Sequence, residues 1–300
     1  MNNRQESLLR AATYASVATA SILVVAKLYA WLATGSVSLM ASLVDSLMDV
    51  GASAVNLIAV RYALMPADDE HRFGHGKAEA LAGLAQAMFI LGSAIFLVLH
   101  AIDRLFSPLP LDNVSDGLAV IVFSMIATVA LLAFQSWVIR QTQSTAIRAD
   151  ALHYTADLAT NGAAVLALLL AAQGLLSLDP IIGIGIAAYI AYSAARIGAQ
   201  AIHLLMDREL SEAFRAEIEK TARATPGVIE VHGLRTWQSG LTKIVQMHIE
   251  LAPDITLERA HVIAVDVERR ILQQDPGVDI TIHQDPLGLD ENHASPGDQF

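Results

Sequence analysis

Long apolar stretches fill the first two thirds of the chain, and they have the length of membrane-spanning helices. A span needs about 20 mainly apolar residues, and six segments reach that length as an uncharged core or with its helical extension. The pattern therefore predicts six transmembrane helices, at residues 7–32, 35–64, 80–99, 117–139, 149–178 and 180–206.

Shorter and more polar patterns follow residue 206. A helix-like run at 211–224 ends at the turn signal Thr225-Pro226-Gly227, and a strand is predicted at 228–236. Residues 243–251 alternate between apolar and polar, which predicts a second strand. An apolar stripe from Leu257 to Ile271 repeats every three or four residues and predicts a helix lying on a sheet.

A third strand ends this polar segment. Its apolar positions, 278, 280 and 282, form an inner face, and we expect Thr281, His283 and Asp285 to point outward. The order helix–strand–strand–helix–strand (αββαβ) predicts a small α+β domain of ferredoxin-like type. The predicted fold is thus an α-helical membrane protein with a six-helix transmembrane domain at 1–206, a ferredoxin-like domain at 207–287 and a disordered tail at 288–300.

The composition agrees with membrane residence. Of the 300 residues, 54% are hydrophobic and 16% are charged, against about 25% charged residues in a soluble domain, and the mean hydropathy is +0.47. The net charge of -11 argues against nucleic acid as a partner. The first apolar stretch is too long for a signal peptide, so we interpret it as a retained helix.

Two acids occur inside the second predicted span. Asp45 and Asp49 are four residues apart and therefore lie on one helical face. Each ionisable residue near the centre of a bilayer costs about 2.5–3.5 kcal/mol on insertion scales. Packing alone does not explain two such acids on one face, and we expect them to bind a cation.

The fifth predicted span carries a matching pair, His153 and Asp157. If the two helices enter from opposite faces of the membrane, both pairs fall near the middle of the hydrocarbon core. Three carboxylates and one imidazole then form a tetrahedral site for a divalent metal such as Zn²⁺, Fe²⁺, Mn²⁺ or Cd²⁺ rather than Cu⁺. The alternative interpretation is that these are packing groups satisfied by neighbouring polar side chains, namely Ser42, Ser46, Ser53 or Asn161.

A second possible metal site lies in the loop at residues 66–79. Asp68, His71 and His75 have a D-x2-H-x3-H spacing, and Gly74 and Gly76 predict a tight turn that could orient His75. The alternative is an ordinary solvated charged loop. The chain contains no cysteine, so every metal site has to use oxygen and nitrogen ligands.

Histidines also gather in the predicted ferredoxin-like domain. Together with one acid they form a candidate metal site, made of His232, His248, His261, His283 and Asp285. Two of them lie on strand faces opposite the apolar ones, whereas His261 is beside the apolar helix stripe and is ambiguous. The alternative is that each is an exposed histidine without a ligand role.

The distribution of Lys and Arg predicts the orientation. One side would hold most of the basic residues, namely Arg4, Arg10, Arg61, Arg72, Lys77, Arg140 and Arg148, and the other side mainly Lys27 and Arg104. By the positive-inside rule the first side is cytoplasmic. Both termini and the ferredoxin-like domain are then expected in the cytoplasm, with the helices in the inner (plasma) membrane.

Four motifs together resemble the cation diffusion facilitator family, and most closely its bacterial ferrous-iron and zinc efflux pumps. They are SLVDSLMD, PADDEHRFGHGKAEA, RADALHYTAD and HQDP, and the resemblance covers residues 5–286. It implies a homodimer of six-helix protomers, each with a cytoplasmic ferredoxin-like domain that binds metal and dimerises. It also implies a transporter rather than an enzyme, with no catalytic cofactor.

The resemblance implies roles for individual residues. Asp45, Asp49, His153 and Asp157 match the transport site, and Asp68, His71 and His75 match the loop site. His232, His248, His261, His283 and Asp285 match a binuclear cytoplasmic site. Lys77 and Asp207 match a charge interlock at the dimer junction. Relatives with His in place of Asp45 tend toward zinc alone, and those with Asp in place of His153 tend toward manganese.

These observations predict efflux of Zn²⁺ or Fe²⁺, and of Cd²⁺, by exchange for protons. The expected partners are divalent metal ions, protons, the lipid bilayer and a second copy of the chain. The alternative is a membrane metal sensor that signals through its C-terminal domain without transport. An intramembrane metalloprotease fits less well, because the sequence has no H-E-x-x-H motif and four protein ligands leave no position for a catalytic water.

Overall fold

The structure is a computed structural model that describes residues 3–34, 37–106, 118–171 and 178–288. The predicted tail lies outside these residues except for Gly288. The chain divides into two compact units, one spanning Asn3–Ile202 and the other containing the residues from His203 onward. Each unit is described separately below.

Six long helices make up the first unit, and the last of them ends just beyond the C-terminal boundary of that unit. They are α1 (Asn3–Thr34), α2 (Val37–Ala63), α3 (Lys77–Phe106), α4 (Leu118–Thr142), α5 (Thr145–Ala171) and α6 (Leu178–Leu205). Helix α1 packs on α2 and α4, and α5 packs on α3 and α4. A core of small and aliphatic residues joins α3, α5 and α6, with Ile90, Leu152 and Ile190 among its buried members.

Four of these helices are long and apolar enough to cross a membrane, judged on the described residues. Their spanning segments are Arg4–Ala33, Ser42–Ala63, Lys77–Leu99 and Val120–Thr142. The prediction of six spans is therefore met in helix number, and four of the six helices meet the criterion of length and composition within the described residues. Helix α5 is polar in its first half, with Arg148, Asp150, His153 and Asp157, and residues 172–177 beyond it are not described.

Helix α2 has a polar interior face and an apolar exterior face. Ser46, Asp49, Ser53 and Asn56 are buried, and they are spaced by three or four residues along the helix. Several large apolar side chains of the same helix are more than half exposed, as for Leu47, Met48, Val55 and Ile58. This arrangement is the reverse of a water-soluble helix and suits a lipid environment.

The second unit has the predicted αββαβ order. Its elements are α7 (Glu212–Arg223), β1 (Glu230–Ser239), β2 (Thr242–Leu251), α8 (Leu257–Gln274) and β3 (Val278–Pro286). Strand β2 is central, antiparallel to β1 and parallel to β3. Ser211 and Thr256 begin the two helices as N-caps, each accepting a hydrogen bond from a backbone N–H three residues on.

The two helices cover one face of the sheet, as predicted. The alternating residues of β2, Val245, Met247, Ile249 and Leu251, are buried in the core with Ile218 of α7 and several residues of α8. The polar residues of β2 therefore occupy the opposite face of the sheet, which leaves that face available for ligand side chains.

Candidate metal sites

Two helices supply a cluster of ligand atoms within the first unit. Asp49 of α2 and His153 and Asp157 of α5 each place one ligand atom within 4.8 Å of the others, and we name these three residues the interhelical cluster. His153 Nε2 lies 3.0 Å from Asp49 Oδ1 and 3.8 Å from Asp157 Oδ2. His153 and Asp157 share one face of α5 because they are four residues apart.

Asp45, the fourth residue predicted for this site, is not within the cluster. It lies one turn before Asp49 on α2, and its side chain is exposed. The charges of Asp49, Lys27 and His153 nevertheless act on its carboxylate. The structure thus brings together three of the four predicted residues and leaves Asp45 next to them.

Hydrogen bonds around the cluster connect α1, α2 and α5. Lys27 of α1 donates to the backbone oxygen of Ser42 at 3.1 Å and to Ser46 Oγ at 2.6 Å. Ser53 Oγ and the Tyr154 hydroxyl are 2.9 Å apart. Lys27 and Tyr154 thus link α1 and α5 to the polar face of α2 on which Asp49 lies.

A buried carboxylate that sequence reasoning missed lies one turn before His153. Asp150 is fully buried and accepts hydrogen bonds from Ser16 Oγ, from Gln135 Nε2 at 2.7 Å and from Gln86 Nε2 at 3.3 Å. These donors come from α1, α4 and α3, so one acid ties α5 to three other helices. The sequence shows an acid three residues before His153 but gives no sign of partners so distant in the chain.

A second missed carboxylate holds the beginning of α5. Glu79 of α3 is buried, and its Oε1 accepts a hydrogen bond from the backbone N–H of Thr145 at 2.9 Å. The first N–H groups of a helix have no partner within the helix, and a carboxylate there is favourable. This cap explains why α5 begins at Thr145, four residues before the predicted start.

The loop between α2 and α3 brings its three predicted ligands together. His71 Nδ1 lies 3.4 Å from Asp68 Oδ1, and His75 Nε2 lies 3.3 Å from Asp68 Oδ2. We name Asp68, His71 and His75 the loop cluster; their ligand atoms also lie within 4.8 Å of one another. Gly74, between the two histidines, has a φ of 76°, a left-handed conformation that favours glycine.

Asp68 is held in its ionised form by the backbone of its own loop. The N–H of His71 donates to Asp68 Oδ1 at 2.6 Å, and the N–H of Glu70 donates to the same atom at 3.0 Å. These donors, the N–H of His71 foremost, lower the pKa of Asp68 from its usual 3.8. The carboxylate is therefore available as a metal ligand at neutral pH.

Neighbouring strands supply the third cluster, on the sheet face away from the helices. His232 of β1 pairs with His248 of β2, and Glu250 of β2 pairs with Asp285 of β3. His248 Nδ1 lies 2.8 Å from Asp285 Oδ2, and His232 Nε2 lies 3.5 Å from the same oxygen. We name His232, His248 and Asp285 the strand cluster, whose ligand atoms lie within 4.8 Å of one another.

Two other histidines predicted for this site are placed differently. His283 Nε2 lies 3.0 Å from Asp285 Oδ1, so the two oxygens of this carboxylate face different histidines. His261 of α8 is exposed and is not part of the strand cluster. Glu250 was not predicted, although it lies on the same face of β2 as His248; its Oε1 is 3.8 Å from His232 Nε2.

Asp285 points outward from the core, as expected, but neighbouring side chains cover it. Asp285 does lie on the sheet face away from the core, yet it is only 6% exposed. The rings of His232, His248 and His283 surround it, with adjacent ring centroids 5.0 and 4.8 Å apart. Strand alternation predicts the face of a residue but not how much its neighbours cover it.

Lys77 and Asp207, the predicted charge interlock, lie in different units. Lys77 begins α3 in the helical unit, whereas Asp207 follows α6 in the second unit with a φ of 55°. Their pairing in a dimer remains a prediction.

All three clusters offer carboxylate oxygens together with one or two imidazoles. This donor set suits Zn²⁺ and Fe²⁺ and is unsuited to Cu⁺, which prefers sulfur. Only the interhelical cluster is buried between helices of an apolar unit, so it alone could bind an ion on its way across a membrane.

Comparison with protein families identifies both units. The cation efflux transmembrane domain matches residues 13–206, and the cytoplasmic domain of cation efflux proteins matches residues 210–287. The two matches together cover nearly the whole described chain.

Curated proteins of similar length match across both units. The cation-efflux pump FieF of Escherichia fergusonii is 49% identical over 289 residues, which are 96% of each chain. The FieF of Salmonella choleraesuis is 50% identical over the same length and coverage. A solved structure of the MamM CTD in its copper form covers 27% of this chain and 89% of its own, with 25% identity and a TM-score of 0.25.

Proposed function

This chain belongs to the cation efflux family, and from that premise we propose that it exports divalent transition-metal ions, Zn²⁺ or Fe²⁺ and also Cd²⁺, in exchange for protons. It is a membrane protein with a helical transmembrane domain and a cytoplasmic ferredoxin-like domain. The observation that carries the proposal is the interhelical cluster. Its three ligands come from two helices of the transmembrane domain; Asp49 and His153 are buried, and Asp157 is partly buried.

The transport site consists of Asp45, Asp49, His153 and Asp157. Asp45 is one helical turn from Asp49, so a rotation or tilt of α2 would bring its carboxylate to the ion held by the other three. A tetrahedral site with three oxygens and one imidazole nitrogen then encloses the metal. The exposed position of Asp45 in the present conformation fits a site that completes itself when the ion arrives.

Electrostatics gives the reason for proton exchange. Three carboxylates and a neutral imidazole carry a formal charge of -3, and a divalent ion reduces it to -1. When the ion leaves, three close acids repel one another strongly in a medium of low dielectric constant. Protons therefore take the place of the metal, at His153 and one carboxylate, and the proton gradient drives export.

The other two clusters would regulate transport or stabilise the dimer rather than transport the ion. The strand cluster with His283 lies in the cytoplasmic domain, where metal binding would favour the docked homodimer by mass action. We assign residues 1–206 to transport and 207–287 to metal binding and dimerisation. The basic loops support an orientation with both termini on the cytoplasmic side of the inner membrane.

Flux measurements in proteoliposomes test the proposal. Proteoliposomes that contain the purified protein should take up Zn²⁺, and their internal pH should change at the same time. Asp49→Ala and Asp157→Ala should abolish both signals, because each removes a ligand from the buried site. Asp69→Ala serves as the matched control, since Asp69 is an exposed acid paired with Arg72 at 2.8 Å and should leave flux unchanged.

The same experiment separates transport from the sensor alternative. A sensor would bind Zn²⁺ at the interhelical cluster and show no flux in intact vesicles. Unchanged flux in Asp49→Ala and Asp157→Ala would contradict the assignment of the transport site.

A further inference from the structure

A cavity of about 300 Å³ lies between α2 and α3. Small residues such as Ala52 and Ala82 create the space, and Met48 and Phe89 border it. Most of its wall is apolar. The exceptions are two amide side chains, Asn56 from α2 and Gln86 from α3.

Asn56 is the unusual residue of this cavity. It is only 2% exposed, and neither its Nδ2 nor its Oδ1 has a hydrogen-bond partner among the residues that the structure describes. Buried side-chain amides nearly always have partners, and an exception calls for a bound water or ion. Gln86 differs, because its Nε2 donates to Asp150 at 3.3 Å.

The cavity and the interhelical cluster are neighbours through Phe89, which borders the cavity. Met48 precedes Asp49 in α2, and the Phe89 ring centroid is 6.3 Å from that of His153. Asn56 is seven residues after Asp49, or about 10.5 Å farther along α2 toward the loop cluster. An ion moving between that loop and the interhelical cluster could therefore pass Asn56 just before it meets Asp49.

We propose that the α2–α3 cavity is a water-filled transit site for a divalent cation, with Asn56 Oδ1 as its protein ligand. The inference rests on the proposed function. A volume of about 300 Å³ holds several waters at about 30 Å³ each. A lipid chain in the same space would leave the Asn56 amide without any partner.

The apolar wall is consistent with transit rather than storage. An ion pathway needs binding strong enough for the ion to enter and weak enough for it to leave. One neutral amide oxygen and a partial shell of water meet that need, whereas a carboxylate in place of the amide would trap the ion. The cavity therefore supplies a weak intermediate step before the strong ligands of the interhelical cluster.

The natural absence of cysteine allows a direct test by single substitutions in the full-length chain. Ala82→Cys places a thiol on the cavity wall, and Leu81→Cys places one on the exposed apolar face of the same helix, where Leu81 is 59% exposed. The probes are a charged methanethiosulfonate and an apolar maleimide, applied to protein reconstituted in phospholipid vesicles.

We expect the charged reagent to label Ala82→Cys and to spare Leu81→Cys, which only the apolar reagent should reach. Zn²⁺ should slow labelling of Ala82→Cys by about tenfold, the effect of one ligand interaction of ordinary strength. The added Asn56→Leu substitution should remove this protection. Protection that persists with Asn56→Leu would assign the bound Zn²⁺ to the new thiol and overturn the proposal.

Labelling of Ala82→Cys by the apolar reagent alone would show that lipid fills the cavity, and this result would also overturn the proposal.

In a cysteine-free background, Asn56→Leu should lower the initial Zn²⁺ flux by about tenfold without changing Zn²⁺ affinity at the interhelical cluster. Asn56→Asp should instead add one bound Zn²⁺ per chain, and its failure to do so would contradict the site. Labelling does not depend on flux, so a failed transport assay leaves the test of the cavity intact.

Discussion

The interhelical cluster and the strand cluster hold the same kinds of ligand atom in two different scaffolds. In the first, the ligands come from two helices that share no backbone hydrogen bonds, so their distance depends only on side-chain packing. In the second, His232 faces His248 across an antiparallel ladder, and His248 faces His283 across a parallel one. Backbone hydrogen bonds therefore determine the spacing of those ligands.

The two scaffolds suit different roles in metal binding. Helices that pack through side chains can slide or tilt by an ångström or two, and a site between them can open to either side of a membrane. A site built across hydrogen-bonded strands keeps its shape unless the sheet unfolds. The interhelical cluster is thus suited to binding and releasing an ion in every cycle, and the strand cluster to retaining one.

The largest expected effect comes from changing His153, the nitrogen ligand of the interhelical cluster. His153→Asp should lower Zn²⁺ flux by at least about 100-fold, more than the usual loss for a second-shell change at a metal site. Mn²⁺ flux should rise relative to Zn²⁺, because an all-oxygen site suits Mn²⁺ better. Competitive flux in proteoliposomes measures both ions.

The matched control for this change is His261→Asp, which makes the same substitution at an exposed histidine outside the strand cluster. It should leave the ratio of Zn²⁺ to Mn²⁺ flux unchanged. If His153→Asp left that ratio unchanged as well, the nitrogen ligand would have no role in ion selection.

A smaller effect is expected at the strand cluster. His248→Ala should lower the stimulation of transport by cytoplasmic Zn²⁺ by about fivefold, at the lower end of usual allosteric couplings. Zn²⁺ affinity at the interhelical cluster should remain the same, as measured by titration of the full-length protein. His261→Ala should change neither quantity, and a loss of interhelical affinity in His248→Ala would show that the two sites are not separable.

The rigidity of the strand site can be tested at Gly233. This residue lies between paired positions of β1, has a φ of 59°, and a Cβ there would lie 3.0 Å from His248 Cδ2. Gly233→Ala should cost about 1 kcal/mol of domain stability through its backbone and should also displace the His248 ring. The expected result is weaker Zn²⁺ binding at the strand cluster, measured by calorimetry on full-length protein.

Gly240→Ala is the control, because Gly240 has the same φ of 59° in the β1–β2 turn. It should show the same loss of stability with unchanged Zn²⁺ binding. Equal binding losses in both variants would mean that the backbone, and not contact with His248, determines the affinity.

The smallest effect concerns the ion pair between Asp275 and Lys243, which lies at the start of the central strand β2. Burial alone would raise the pKa of Asp275, but hydrogen bonds from Lys243 Nζ at 2.6 Å and from the N–H of Gly277 at 3.1 Å outweigh it, and the pKa is lowered from its usual 3.8. A lowered carboxyl pKa stabilises the folded domain above the unfolded value, and this stabilisation is lost as the pH falls through the folded value.

Asp275→Asn should therefore cost about 0.5 kcal/mol at pH 7, since the pair is partly exposed to solvent. The cost should diminish as the pH falls from 3.8 through the lowered pKa of the folded state, where the wild-type carboxyl becomes protonated too. Hydrogen exchange of β2 amides in the full-length protein can measure it, and a cost that grew on acidification would contradict the assigned direction of the pKa shift.

Apolar periodicity was sufficient to predict the elements of both domains. Alternation in β2 predicted the buried face that includes Met247 and Ile249, and the stripe of α8 predicted the helix that covers it. Those signals are local, because each depends on residues two to four positions apart. The same locality explains why His153 and Asp157 could be recognised as a pair.

What the sequence could not predict depends on contacts between distant segments. The start of α5 is capped by Glu79, which is 66 residues away, and Asp150 is bound by donors on three other helices. The position of Asp45 outside the interhelical cluster depends on how α2 is rotated against α5, which no spacing within α2 can specify. Glu250 was overlooked because only strand register places it beside Asp285.

X-ray absorption at the zinc edge can show whether the interhelical cluster binds Zn²⁺ through His153. The full-length protein would carry alanine at His71, His75, His232 and His248, so that the interhelical cluster is the remaining site. We expect one bound Zn²⁺ with a single imidazole and oxygen ligands at about 2.0–2.2 Å, and loss of the imidazole signal in His153→Ala. No bound zinc, or a spectrum that His153→Ala leaves unchanged, would contradict it.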